Sequence, residues 1–166
     1  DAEPHFRKVL QAAPDHARTH AQLGVCLSQL GRRDEGLRHT QRAVTLTPLD
    51  AARLGNLGGI LAQLGRLEEA IVHLRKGAQL DPVSADIWNN LGYALSRTGQ
   101  HREAVASYRA AARLAPGHAR IKINLADALN AAGQPDEARD IAEGVLKQAI
   151  ESSNTKQIEL VHARLQ

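Results

Sequence analysis

Aromatic side chains are nearly missing from this chain: Phe6, Trp88, Tyr93 and Tyr108 are all there are in 166 residues. Sandwiches and barrels lean on aromatic and β-branched residues, whereas the Ala, Leu, Gly, Gln and Arg that dominate here suit helices. The expectation is an all-helical protein. A single cysteine, Cys26, excludes an internal disulfide and favours a reducing, cytoplasmic compartment without fixing it. No stretch approaches the roughly 18 consecutive apolar residues of a membrane helix, and no signal-peptide pattern opens the chain, so membrane insertion is not expected. Charge of one sign is scarcely in excess. Residues 1–80 carry 11 basic against 8 acidic side chains and residues 81–166 carry 10 of each, interleaved, as on a solvated surface. At 43% apolar, with no low-complexity tract, the chain has the means to bury a substantial core.

What the sequence does have is a period. Pro14, Pro48, Pro82 and Pro116 stand 34 residues apart, and so do Gly31, Gly65, Gly99 and Gly133. Leu23, Leu57, Leu91 and Leu125 keep the same register, as do Leu27, Leu61, Leu95 and Leu129, and Gly24, Gly58, Gly92 and Ala126. A fixed period of this size marks a solenoid. Within a unit the apolar residues fall at helical spacing on both sides of the glycine, as in Leu57, Leu61 and Leu64, then Ala70, Leu74 and Gly77. Each unit therefore reads as helix A, a turn and helix B. The glycine ends helix A where a positive φ is needed, Pro135 is placed to begin a helix, and the later proline stops helix B.

These residues resemble the tetratricopeptide repeat. Trp88, Leu91, Gly92, Leu95, Gly99, Ala104, Tyr108, Ala111 and Pro116 fill every slot of its pattern in one unit. The match loosens elsewhere, with His20, Leu54 and Lys122 at the tryptophan slot. The expected fold is a right-handed all-α solenoid with repeats from about residues 17, 51, 85 and 119. Ala2 and Phe6 sit at the slots of Ala104 and Tyr108, so residues 1–14 read as the second half of a leading unit. This implies a fragment of a longer array, or an amino-terminal end that is disordered or cleaved. A turn after residue 151 and an apolar stripe of Ile158, Val161 and Leu165 predict a capping helix within 152–166.

The resemblance implies that helix A lines a concave groove and that the protein binds protein partners there. Its sixth slot holds Gln22, Asn56, Asn90 and Asn124, and asparagine is a poor choice for a helix interior. A side-chain amide both donates and accepts, which matches the one donor and one acceptor per residue of any peptide backbone. Units advancing by roughly 10 Å match about three residues of extended chain at ~3.3–3.6 Å each. The tetratricopeptide superhelix of O-GlcNAc transferase is similar, with asparagines at this slot holding peptide backbone. By that likeness Asn56, Asn90, Asn124 and, one methylene longer, Gln22 are expected to grip an extended segment. The competing reading has these asparagines bonding to neighbouring helices. Asn89 has Ala21, Gly55 and Ile123 as counterparts, so it forms no ladder and reads as a local contact. Gly55 and Gly59 hollow the same face at a cost of ~2 kcal/mol in helix stability, to be filled by a partner's side chain or by Tyr93. Arg18, Arg97 and Asp127 complete the expected peptide-binding set, while the lysine-bearing carboxylate clamp of chaperone-binding relatives is absent. Arg18, Arg97 and Arg120 either select an acidic residue of a ligand or stand solvated, the second being the default.

Other constellations look chemical and read as structural. His5, His39 and His73 recur at one period but lie roughly 10 Å apart, too far to share a zinc with bonds of ~2.0–2.1 Å. They suggest a surface stripe that charges below about pH 6.5. Asp34 with Glu35, Glu68 with Glu69, and Asp136 with Glu137 fall in first turns of helix B, where carboxylates suit the helix dipole. No phosphate loop, metal-ligand cluster or nucleophile with a base is present. An enzyme is not expected, nor are a cofactor, a metal or a small-molecule substrate. Nucleic acid is disfavoured by the scarcity of stacking aromatics. The alternatives are a scaffold that self-associates through its terminal repeats or convex face, and the substrate-recruiting arm of a larger enzyme.

Overall fold

The structure, a computed structural model, describes residues 2–151. The capping helix expected within 152–166 lies outside the described residues. Helices α2 (Ala17–Gln29), α4 (Ala51–Gln63), α6 (Ala85–Arg97) and α8 (Ala119–Ala131) are the A helices. Their B partners are α3 (Arg33–Leu46), α5 (Leu67–Leu80), α7 (His101–Leu114) and α9 (Pro135–Glu151), and α1 (Glu3–Ala12) packs on α2 from the amino-terminal side.

The turn inside each unit is made by glycine. Gly31, Gly65, Gly99 and Gly133 adopt φ of 83°, 78°, 77° and 77°, a region where a side chain is strained and glycine is free. Each is followed by a residue whose N–H reaches back five positions to cap the helix, as in Arg66 to Leu61 (3.0 Å) and Gln100 to Leu95 (2.9 Å). At the other junction the proline loop delivers a capping side chain. His16, Asp50 and Ser84 accept from the backbone N–H of Thr19, Arg53 and Ile87.

The core runs the length of the array. The two leucine ladders of helix A are buried, and so are Thr40, Leu74, Tyr108 and Ala142 of helix B. The small residue at the eighth A slot answers the bulk opposite it. A Cβ on Gly92 would stand 2.8–2.9 Å from Tyr108 ring carbons, and one on Gly58 would collide with Leu74. Where helix B offers Ala142, helix A carries Ala126.

Successive A helices pack on one another, α2 on α4, α4 on α6 and α6 on α8, whereas successive B helices do not pack to that extent. The A side is therefore the inner side of a curved array. The outer side is bridged by long side chains instead. Arg7 pairs with Glu35, Arg75 with Glu103 (2.7 Å) and Arg109 with Glu137 (2.7 Å), each 28 residues apart. At the intervening position Gln41 replaces the arginine, and Glu69 turns back to Arg66. Glu35 and Glu137, read from sequence as dipole partners, thus also tie neighbouring units, and arginines hold the Glu35 and Glu69 carboxyls below their usual range.

Candidate functional site

Along the A face the expected residues divide by local packing. Gln22 and Asn56 are exposed, Asn90 and Asn124 half-buried. The side-chain amides of Gln22, Asn56 and Asn90 make no hydrogen bond among the described residues. Asn124 does: its Nδ2 donates to Asn89 Oδ1 at 3.2 Å across the seam between units. Asn89, expected to make a local contact rather than to join the ladder, is the acceptor that holds this rung.

The hollow at Gly55 and Gly59 is not open, and Tyr93 does not fill it. Ile87 of the next unit seals Gly55, where a Cβ would lie 2.8 Å from Ile87 Cγ1, and Asn90 leans on Gly59, where a Cβ would lie 3.2 Å from its Nδ2. Gly55 is a seam residue that admits a neighbouring isoleucine. Tyr93 instead receives a hydrogen bond on its hydroxyl from Arg97 Nη1 at 2.9 Å, and the guanidinium lies 5.8 Å from the ring centroid. Asp127 is exposed on α8. Burial first, then the Asp127 charge, raise the pKa of the Tyr108 hydroxyl.

Two members of the amide ladder and one arginine come together in a groove of about 600 Å³ at the amino-terminal end of the A face. Phe6 of α1, Arg18, Gln22, Val25 and Cys26 of α2, and Asn56 of α4 all line it. The floor is apolar and the rim polar, as in sites that orient a ligand with few directional contacts. Asn90, Asn124, Tyr93, Arg97 and Asp127 lie outside this groove, farther along the array.

Arg53, a residue the sequence reading passed over, also lines the groove. The sequence held a signal for it: Arg53 occupies the third A slot, where the other units place Thr19, Ile87 and Ile121. Asp50 accepts from its backbone N–H at 3.0 Å and pairs with its Nη1, while Nε is buried without a partner among the described residues.

The periodic histidines also part company. His39 is not a member of a free surface stripe: its Nδ1 meets His20 Nδ1 at 2.9 Å. His20 Nε2 lies 2.8 Å from Pro14 O, the same bond that Trp88 Nε1 makes to Pro82 O at the equivalent slot. That carbonyl can only accept, so His20 donates from Nε2, and in its neutral form its Nδ1 accepts from His39 Nδ1. Desolvation first, then the nearby charges of His20, Arg7 and Arg38 against Glu35, lower the His39 pKa; desolvation also lowers that of His73. Both histidines charge at lower pH than the unperturbed side chain.

No curated protein matches the chain. Among solved structures, a MamA protein is 26% identical over 93% of this chain and 88% of its own, with a TM-score of 0.77. The thermophilic tetratricopeptide-repeat protein TTC0263 of Thermus thermophilus superposes with a TM-score of 0.82 at 22% identity, over 99% of this chain and 89% of its own. MamA of Desulfovibrio magneticus RS-1 gives 0.81 at 17% identity over 93% and 86%. The last two likenesses bear on the fold alone. Among the described residues no helix is long and apolar enough to cross a membrane. Tetratricopeptide-repeat family models match residues 17–42, 58–99 and 95–154. With the period, the glycine turns and the paired helices, they make the chain a member of the tetratricopeptide-repeat family, whose fold is generally a non-enzymatic module for protein–protein interaction.

Proposed function

We propose that the chain binds an extended segment of a protein partner along its A-helix face, entering at the groove between α1, α2 and α4. The observation that carries this is the pair of exposed amides, Gln22 and Asn56, without hydrogen-bond partners among the described residues, on the rim of one apolar-floored groove. Asn90, also unbonded, continues the line on α6. Asn124 contributes less, because its donor is already used by Asn89. Each backbone hydrogen bond gained is worth ~0.5–1.5 kcal/mol, against ~1–2 kcal/mol to order each ligand residue. Binding through backbone alone is therefore weak, and side-chain pockets must supply the remainder.

Random peptides displayed on phage test the reading. Selection on the wild type should enrich a family of sequences, and the combined Gln22→Ala, Asn56→Ala and Asn90→Ala variant, checked for equal helicity, should lose them. Enrichment that survives in the variant, or none at all, refutes it. The scaffold reading has one observation in its favour, an exposed apolar edge at the B-to-A loops carrying Leu49 and Val83, 71% and 72% exposed. A monomer by light scattering at high concentration removes it.

A further inference from the structure

Arg53 stands in a seam that the other units close with apolar or hydroxyl side chains. Thr19, Ile87 and Ile121 at this slot are buried, whereas the Arg53 side chain keeps 17% of its surface and borders the groove. A guanidinium placed there loses hydration that other groups must replace. Asp50 replaces part of it through Nη1. Nε is buried and unpartnered, and Nη2 makes no hydrogen bond among the described residues. Arg18 lines the same groove, exposed and in no ion pair among the described residues. Among the described residues Asp50 is the one carboxylate lining it, so two arginines there face one acid. Beside them lies an apolar floor that includes Phe6, Ala21 and Val25.

We infer that this groove selects an internal acidic side chain of the bound segment, seated on Arg53 and Arg18, with a bulky apolar residue next to it on the Phe6–Val25 floor. The inference rests on the peptide-binding reading above and adds its selectivity. With Nε shut away and Nη1 taken by Asp50, Arg53 offers Nη2, while the exposed guanidinium of Arg18 offers paired N–H groups that match the two oxygens of a carboxylate in direction and spacing. Gln22 and Asn56 border the groove on α2 and α4. Arg18 and Arg53 lie about one helical turn from Gln22 and Asn56 on the same two helices, so a chain bonded to both amides runs alongside the arginines, within reach of an aspartate or glutamate side chain.

Fluorescence anisotropy with two labelled peptides tests it, both acetylated and amidated, one with adjacent Phe and Glu in a Gly-Ser background, the other with Gln for Glu. The Glu peptide should bind at least about tenfold more tightly, as expected for a charge-assisted contact. Arg18→Ala combined with Arg53→Ile should erase that difference. Isoleucine already fills this slot at Ile87 and Ile121, and circular dichroism checks that the variant is folded. Equal binding of the two peptides overturns the inference, as does a preference that persists in the variant. So does a preference that appears only when the amide cap is removed. If the two bind equally and Asn56→Ala abolishes both, only the selectivity falls. If neither binds, the peptide-binding reading falls with it.

Discussion

Replacing Gly92 by alanine should destabilise the protein when Tyr108 is present and stabilise it when Tyr108 is absent. The new methyl would lie 2.8–2.9 Å from three ring carbons of Tyr108, a side chain only 3% exposed and held on all sides. Carbon pairs rest at about 3.5–4.0 Å, so ring or helix must give way by more than half an ångström, at ~1–3 kcal/mol. Against this, alanine improves a helix interior by ~1 kcal/mol over glycine. The expected net loss is ~1 kcal/mol. Tyr108→Ala alone costs ~3–5 kcal/mol, as for other large aromatic truncations. In that background Gly92→Ala no longer meets a ring, and only the gain of ~1 kcal/mol in propensity remains. Ala126 facing Ala142 is this pair already built one unit later. Urea unfolding followed by Trp88 fluorescence, which reports from α6 itself, and by helical circular dichroism gives the four stabilities of the cycle. The same sign for Gly92→Ala in both backgrounds would refute the reasoning.

Two further outcomes follow from the packing and the histidines. Gly144 lies on the exposed face of α9, where an added Cβ would meet nothing within 4 Å, so Gly144→Ala should raise stability by ~1 kcal/mol, read as a higher urea midpoint at unchanged slope. His39 has a folded pKa below the ordinary histidine value of 6.5, so the unfolded chain binds more protons in the interval between the two values. Stability should therefore fall as pH drops through about 6.5 towards the lower folded value, and His39→Gln should flatten that part of a melting-temperature profile, His73 supplying the remainder.

The period made the fold legible, because its prolines, glycines and leucines each do one local job that repeats. The sixth-slot amides were legible for the same reason. What stayed hidden was whatever depends on the neighbouring unit. Nothing in the Gly55 and Gly59 stretch says that Ile87 and Asn90 of the next helix will lie in it. Asn89 reads as a local contact, but nothing in its own stretch names Asn124 as the partner. His20 and His39 belong to different slots, and only the crossing of α2 and α3 brings their rings together. Arg53 was detectable by comparing the third slot across units, a comparison that singles out a residue for being out of place rather than for recurring.

The ties along the outer side have a mechanical consequence. A curved array that is in contact along its inner side and only strapped along its outer side deforms like a leaf spring, opening or closing chiefly where a strap is lacking. That place is between α3 and α5, at Gln41. Exposed pairs of this kind are worth ~0–1 kcal/mol each, so the difference in stiffness is modest and shrinks with added salt. The compliant joint lies directly behind α2 and α4, which line the groove, so flexing there would change the width of the groove more than the curvature of the carboxy-terminal units.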